Sequence, residues 1–214
     1  MHFNNSRIPS AITGLSLLSA SVLMLGVPTI TMAQQNISAS EAEVQKLVNE
    51  DFQPIPLSRS LPSACPKNPK TSREKALKQA CTQLGYKEEP PGSNCNKFSR
   101  YFGKGCQQWC ADFVSWAFDS TGDKNKKLPW SNPSAVASLL DWAKKTKHVV
   151  KTPQPGDIFI IKNSQASHTG LVLKVNGGKF QTMEGNSGNP SVSVTSGQRT
   201  VSKYVFVRPD NKPL

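Results

Sequence analysis

The chain has 214 residues, 26 Lys and Arg against 14 Asp and Glu, and a formal charge of +12 at pH 7. That length fits one domain with a tail to spare and a core of useful size. A balance this basic suits an acidic partner such as a wall polymer, nucleic acid or an anionic membrane. No RNP-type aromatic motif, zinc-finger spacing or basic amphipathic helix points to nucleic acid, and solubility alone also accounts for scattered lysines.

Residues 1–33 have Arg7, an apolar stretch from Ala11 to Pro28 and the small-residue exit Thr31-Met32-Ala33. This pattern predicts a secretory signal peptide cleaved near Ala33. No later stretch is apolar enough to span a bilayer, so no stable membrane insertion is expected after cleavage. Residues 34–70 read as an N-terminal extension or linker. Ser40 and Glu43 form a capping-box pattern before a short helix carrying Val44, Leu47 and Val48. Pro54, Pro56, Pro62, Pro66 and Pro69 then break up regular structure.

The globular pattern, residues 71–214, opens on a second capping box, Thr71 with Glu74. Leu77, Ala80, Cys81 and Leu84 follow on one helical face, with Gly85 as the stop. Pro90, Pro91 and Gly92 make a loop. A helix starting near Trp109 buries Cys110, Phe113, Val114 and Ala117, at i, i+3, i+4 and i+7, and ends at Gly122. Asn132-Pro133 opens a third helix, with Val136, Leu139, Leu140 and Ala143 inward. After Pro155-Gly156 the period changes to two. DIFII, the run from His168 to Val175, KFQTM, VSVT and KYVFV read as short strands. Helices first and strands second predict an α+β fold, N-terminal helices packed on a mainly antiparallel sheet.

All five cysteines, Cys65, Cys81, Cys95, Cys106 and Cys110, lie in the part expected to be exported, where pairs usually bridge. An odd count leaves one unpaired within the chain. Cys110 sits at a helix N-terminus, where partial positive charge favours a thiolate. A nucleophilic cysteine needs a base, usually histidine. His148, in KKTKHVVK, reads as a solvated surface residue. His168, at the mouth of a strand, is the better partner, although on spacing alone a lone histidine at a strand edge is more often structural.

WCADFVSW, PGDIFI, SHTGLVL and EGNSG occur in that order between about Glu88 and Arg208. Together they resemble the CHAP domain, the cysteine- and histidine-dependent amidohydrolases/peptidases of the NlpC/P60 group. The resemblance implies a papain-like fold and cleavage of amide bonds in peptidoglycan. It implies Cys110 as nucleophile, His168 as base, Glu184 as the residue orienting the histidine, and Asn186 as a further polar group of the site. Some members carry an acidic calcium loop before the nucleophile, but residues 92–109 here hold no Asp or Glu, so no metal is expected. The cysteine spacings fit no ordinary zinc site, and no cofactor is implied. Peptidoglycan or another anionic wall polymer is the expected partner, with no nucleic acid, and a monomer in the secreted, periplasmic or wall compartment is expected. Two alternatives stay open: the same fold acting as a secreted effector on another amide or thioester, and a silent, basic wall-binding protein.

With Cys110 free, three pairings of the other four cysteines remain. Cys95–Cys106, which would close a short loop before the nucleophile, and Cys65–Cys81, which would tie the extension to the first helix, are the expected pairs. Asn176-Gly177-Gly178 is expected to be a three-residue hairpin loop pairing Val175 with Lys179. That register sets His168 opposite Asn186 and within diagonal reach of Glu184. It also sends Leu171, Leu173, Val175 and Met183 to the other face, and Glu184 is expected to hydrogen-bond His168. Trp130 reads as a packed loop aromatic, Asp157 as a turn residue, and Asp112 as a complement to the helix dipole.

Overall fold

The structure is a computed structural model that describes residues 46, 49–55, 61–122, 127–161, 168–188 and 193–210. The expected signal peptide and the helix expected after Ser40 lie outside the described residues. In chain order come β1 (Gln53–Pro54), α1 (Ser72–Cys81), α2 (Lys97–Tyr101), α3 (Cys110–Asp119) and α4 (Val136–Lys145). The strands β2 (Val149–Val150), β3 (Ile158–Ile161), β4 (Thr169–Asn176), β5 (Lys179–Ser187), β6 (Ser193–Thr200) and β7 (Tyr204–Val207) follow. The fold is α+β. Its seven strands form one antiparallel sheet in the order β1-β6-β5-β4-β3-β7-β2. Among the described residues no helix is long and apolar enough to cross a membrane.

α1 starts where its capping box dictates. Thr71 Oγ1 accepts from Glu74 N at 3.2 Å, and Glu74 Oε2 accepts from Thr71 N at 3.1 Å. α4 starts at Val136, three residues after the expected Pro133. Asn132 Oδ1 instead caps a turn by accepting from Ser134 N at 3.0 Å. α2 was not expected. It exists because Asn96 caps it from Oδ1 to Ser99 N at 2.8 Å and Phe98 is fully buried. Cys65–Cys81 and Cys95–Cys106 are bridged as expected, and Cys110 is the free cysteine.

Two apolar layers flank the sheet. Leu77, Phe113, Leu139, Leu171, Leu173 and Met183 belong to the core beneath the helices. Phe159, Val172, Phe180, Tyr204 and Phe206 form a second cluster. Two polar residues have roles other than those expected. His148 is buried, stacked on Trp142 at 4.6 Å between centroids, with Nδ1 2.8 Å from Thr146 Oγ1 and its backbone N–H donating to Ala143 O at 2.8 Å. Asp157 is more than a turn residue. Its fully buried carboxylate accepts from Arg73 Nη1 at 3.0 Å, from Arg208 Nε at 2.9 Å and Nη2 at 2.8 Å, and from Gln154 N at 2.8 Å.

The β4–β5 hairpin corrects the loop expectation. Asn176 pairs with Lys179 across the two residues Gly177-Gly178, not across three. Gly177, at φ 61°, supplies the left-handed conformation such a turn needs. The register then slips by one between Val172 and Lys174, so Leu173 is a bulge residue. Beyond it Val172 pairs with Thr182 and Leu171 with Met183, which is the register expected at the far end. The bulge also turns Val175 onto the Phe159 cluster, away from Leu171 and Leu173.

α3 lies against β5 at Gly185. A Cβ there would fall 2.5 Å from Phe113 Cβ and 2.8 Å from Trp109 Cζ3, both on fully buried side chains. Gly185→Ala is therefore expected to lower stability by about 1–3 kcal/mol through overpacking. Urea unfolding checks this, and an unchanged midpoint would contradict the contact.

Candidate active site

Trp109 fixes where α3 begins. Its indole is fully buried, stacked on Phe98 at 5.4 Å and edge-on to Tyr86 at 6.0 Å. Its Nε1–H donates to Glu88 Oε2 at 3.0 Å. With that side chain anchored, its carbonyl accepts from Phe113 N at 2.9 Å and closes the first helical turn. Cys110 is thus the first helical residue, where backbone N–H groups lack intrahelical partners and carry partial positive charge. The Cys95–Cys106 bridge restrains the loop leading into it.

Asp112, two residues on, does more than complement the dipole. Fully buried, it accepts from Ser99 Oγ at 2.7 Å, Gln107 Nε2 at 2.8 Å and Ser134 Oγ. One carboxylate thereby ties α2, the loop before Cys110 and the loop before α4 to the α3 terminus. Trp130 packs in the core as expected, with Nε1 donating to Ser115 Oγ at 2.9 Å.

His168 comes just before β4, and its carbonyl accepts from Ile161 N at 3.1 Å. It is 3% exposed. Its Nε2 lies 2.8 Å from Glu184 Oε2, and the Cys110 side chain acts on the ring as a hydrogen-bonding and charged neighbour. Burial pushes the imidazole pKa down. The hydrogen bonds and charges of Cys110 and Glu184 overcome that and raise it to about 8.

Glu184 is completely buried on β5. Burial pushes its pKa up, but the Arg199 guanidinium outweighs that, with help from His168, and holds the carboxyl well below the usual carboxylate range. Arg199 Nε donates to Oε1 and Nη2 to Oε2, each at 2.6 Å, a two-pronged pair. Thr182 Oγ1 donates to Oε1 at 2.6 Å and Ser187 Oγ to Oε2 at 3.2 Å.

The structure brings Cys110, His168 and Glu184 into one hydrogen-bonded series. Asn186, buried at φ 53°, is not hydrogen-bonded to His168, and its Oδ1 has no partner among the described residues. Arg199 is the residue that sequence reasoning missed. The strand read from VSVT stops at Thr195, whereas β6 runs on to Thr200. An arginine in a period-two strand also reads as a solvent-facing residue. Among the described residues no group of three or more His, Cys, Asp and Glu could hold a metal ion.

Comparison with curated proteins gives no match, and comparison with solved structures gives none either. The family model for the CHAP domain matches residues 101–186. That span holds α3, the residue just before β4 and the Glu184-Gly185-Asn186 stretch of β5, and over it the chain is similar to CHAP domains.

Proposed function

We propose that this protein is a secreted cysteine hydrolase that cuts an amide bond of the cell-wall peptide. CHAP domains are amidases or peptidases acting on peptidoglycan. The observation that carries the finer reading is the buried series of a free Cys110 thiol, His168 and Glu184. Two disulfides suit an extracellular compartment. In this reading residues 1–33 are removed on export, 34–70 are an N-terminal extension and 71–214 are the catalytic domain.

The chemistry follows from the groups present. The Cys110 thiolate attacks the amide carbonyl carbon, and free N–H groups at the α3 terminus receive the charge on oxygen. The imidazolium of His168 gives its proton to the departing amine, which leaves an acyl-enzyme. His168 then takes a proton from water, and the resulting hydroxide releases the acid and restores the thiol. Glu184 keeps the ring oriented by accepting from Nε2–H and favours the imidazolium. Asn186 completes the polar lining of the site.

Purified sacculi incubated with the processed chain are expected to release peptide or muropeptide fragments, and Cys110→Ala to release none. Product masses name the bond. Absence of products from the wild type would refute the substrate class. Glu184→Gln is expected to cut turnover about 100-fold or more, with an unchanged circular dichroism spectrum.

A pH expectation follows from His168. Its folded pKa of about 8 lies above the ordinary 6.5, so the charged interaction stabilises the fold fully below pH 6.5 and is lost as pH rises through about 8. The same proton is needed by the leaving amine. NMR titration of the imidazole should show a midpoint near 8, with kcat/KM falling along the same limb. A midpoint at or below the ordinary value would contradict the series.

Removal of residues 1–33 takes away Arg7 and lowers the charge from +12 to +11, and that balance suggests that attraction to an anionic wall assists catalysis. Screening shortens electrostatic reach from about 8 Å at physiological salt to about 3 Å at 1 M. Binding to sacculi by the Cys110→Ala variant should weaken steeply over that range. Salt-independent binding would point to a shaped groove instead.

A further inference from the structure

Arg199 and the segment that holds it lie outside the span matched to the CHAP family. The guanidinium is almost wholly buried, and its three nitrogens are directed by Glu184 and Tyr204. Nε and Nη2 go to Glu184, and Nη1 donates to Tyr204 Oη at 2.9 Å. The Phe52 ring covers the group at 4.8 Å from Cζ to the centroid, with Phe159 and Tyr204 each at 5.6 Å.

Phe52 reaches that position because β1 pairs with β6, Gln53 opposite Gln198 and Pro54 opposite Gly197. A Cβ at Gly197 would fall 1.9 Å from Phe52 Cε2, so only glycine admits the ring there. Asp51 locks the same segment from the other side. It accepts from Thr200 N at 2.7 Å and Thr200 Oγ1 at 2.8 Å, and from Tyr204 Oη at 3.3 Å. The extension is therefore joined to the site by two contacts, a ring over Arg199 and a carboxylate behind Tyr204.

We propose that Arg199, held in place by Asp51 and Phe52, is a positioning residue that fixes the Glu184 carboxylate against His168. This deepens the cysteine-hydrolase reading and rests on it. Every oxygen lone pair not used by Arg199 is directed by Thr182, Ser187 or His168. Without the fork, Glu184 is free to rotate away from the ring and takes up a proton more readily in its buried site. His168 then loses its proton at lower pH and Cys110 loses its charged partner. The charged or titratable groups facing this series are Cys110 on α3, His168 beside β4, Glu184 on β5, Arg199 on β6, Tyr204 on β7 and Asp51 before β1, with Lys203 3.5 Å from Asp51 at the solvent side.

Two readouts on the processed chain test the proposal. One is turnover of sacculi. The other, needing no substrate, is the pH dependence of Cys110 alkylation by iodoacetamide. Arg199→Met is expected to lower kcat at least about tenfold with little change in KM, and to slow alkylation at neutral pH about fivefold. Arg199→Lys should recover part of both. In a Glu184→Gln background Arg199→Met should cost nothing further, because Arg199 acts only through Glu184. Losses that multiply in the double variant, or a folded Arg199→Met with wild-type kcat and alkylation profile, would overturn the proposal. If Arg199→Met does not fold, Asp51→Asn with Phe52→Leu decides. A loss of about threefold or more in kcat and in alkylation supports positioning, and none overturns it. If the wild type leaves sacculi intact while the alkylation differences appear, the substrate reading falls and the positioning stands.

Discussion

The Glu184–Arg199 pair is the interaction on which the rest of this site depends. A carboxylate with no solvent exposure is costly unless a cation and further donors satisfy it. Here both oxygens are engaged twice or more, by the Arg199 fork, Thr182, Ser187 and His168. The guanidinium needs its own shelter, and aromatic faces with a tyrosine hydroxyl provide it. Neutralising Glu184 with Arg199 reduces the net charge acting on His168. What remains is a strong, directed hydrogen bond from a carboxylate that cannot turn. The raised imidazole pKa shows that this, together with Cys110, outweighs burial.

The sheet divides the labour between its two faces. The helix face holds Trp109, Phe113 and Gly185, which set the height and angle of the α3 terminus. The other face holds Phe159, Phe180 and Tyr204 around Arg199. His168, just before β4, reaches both: the Cys110 thiol belongs to the first layer and Glu184 to the second. The series therefore requires that both layers pack correctly. The support extends to the chain ahead of α1, since Phe52 and Asp51 close the second layer.

Much of this was legible because it depends on local chemistry. Capping boxes, a helical apolar stripe and a change of period to two depend on neighbours within a turn or a strand. What was not legible depends on where distant chain meets. His148 lies in a lysine-rich stretch, yet Trp142 six residues earlier gives it a stacking face. Asp157 follows a Pro-Gly turn, yet Arg73 and Arg208 converge on it from both ends of the domain. Arg199 acquires its role only when β1, β5 and β7 gather around it. The hairpin is the most instructive case. A loop one residue too long was expected, and the bulge at Leu173 supplies the missing residue inside the strand. The two devices shift register equally, so the geometry near His168 agrees while Val175 changes face.

A second bulge explains why the Glu-Gly-Asn stretch is so particular. Between Glu184↔Thr195 and Ser187↔Ser193 the β5 strand spends one residue more than β6. Gly185 and Asn186 are the residues opposed by one partner, and Asn186 takes the positive φ that the bulge requires. Three consecutive residues thus meet three unrelated demands. Glu184 must project toward Arg199, Gly185 must offer no side chain to Phe113 and Trp109, and Asn186 must accept a left-handed backbone. Asparagine tolerates that backbone better than most residues. A regular strand would have carried Ser187 to the opposite face. The bulge instead returns it to the side of Glu184, where its hydroxyl donates to Oε2. The irregularity in β5 is therefore what lets one short segment of strand supply both a carboxylate and one of the donors that hold it.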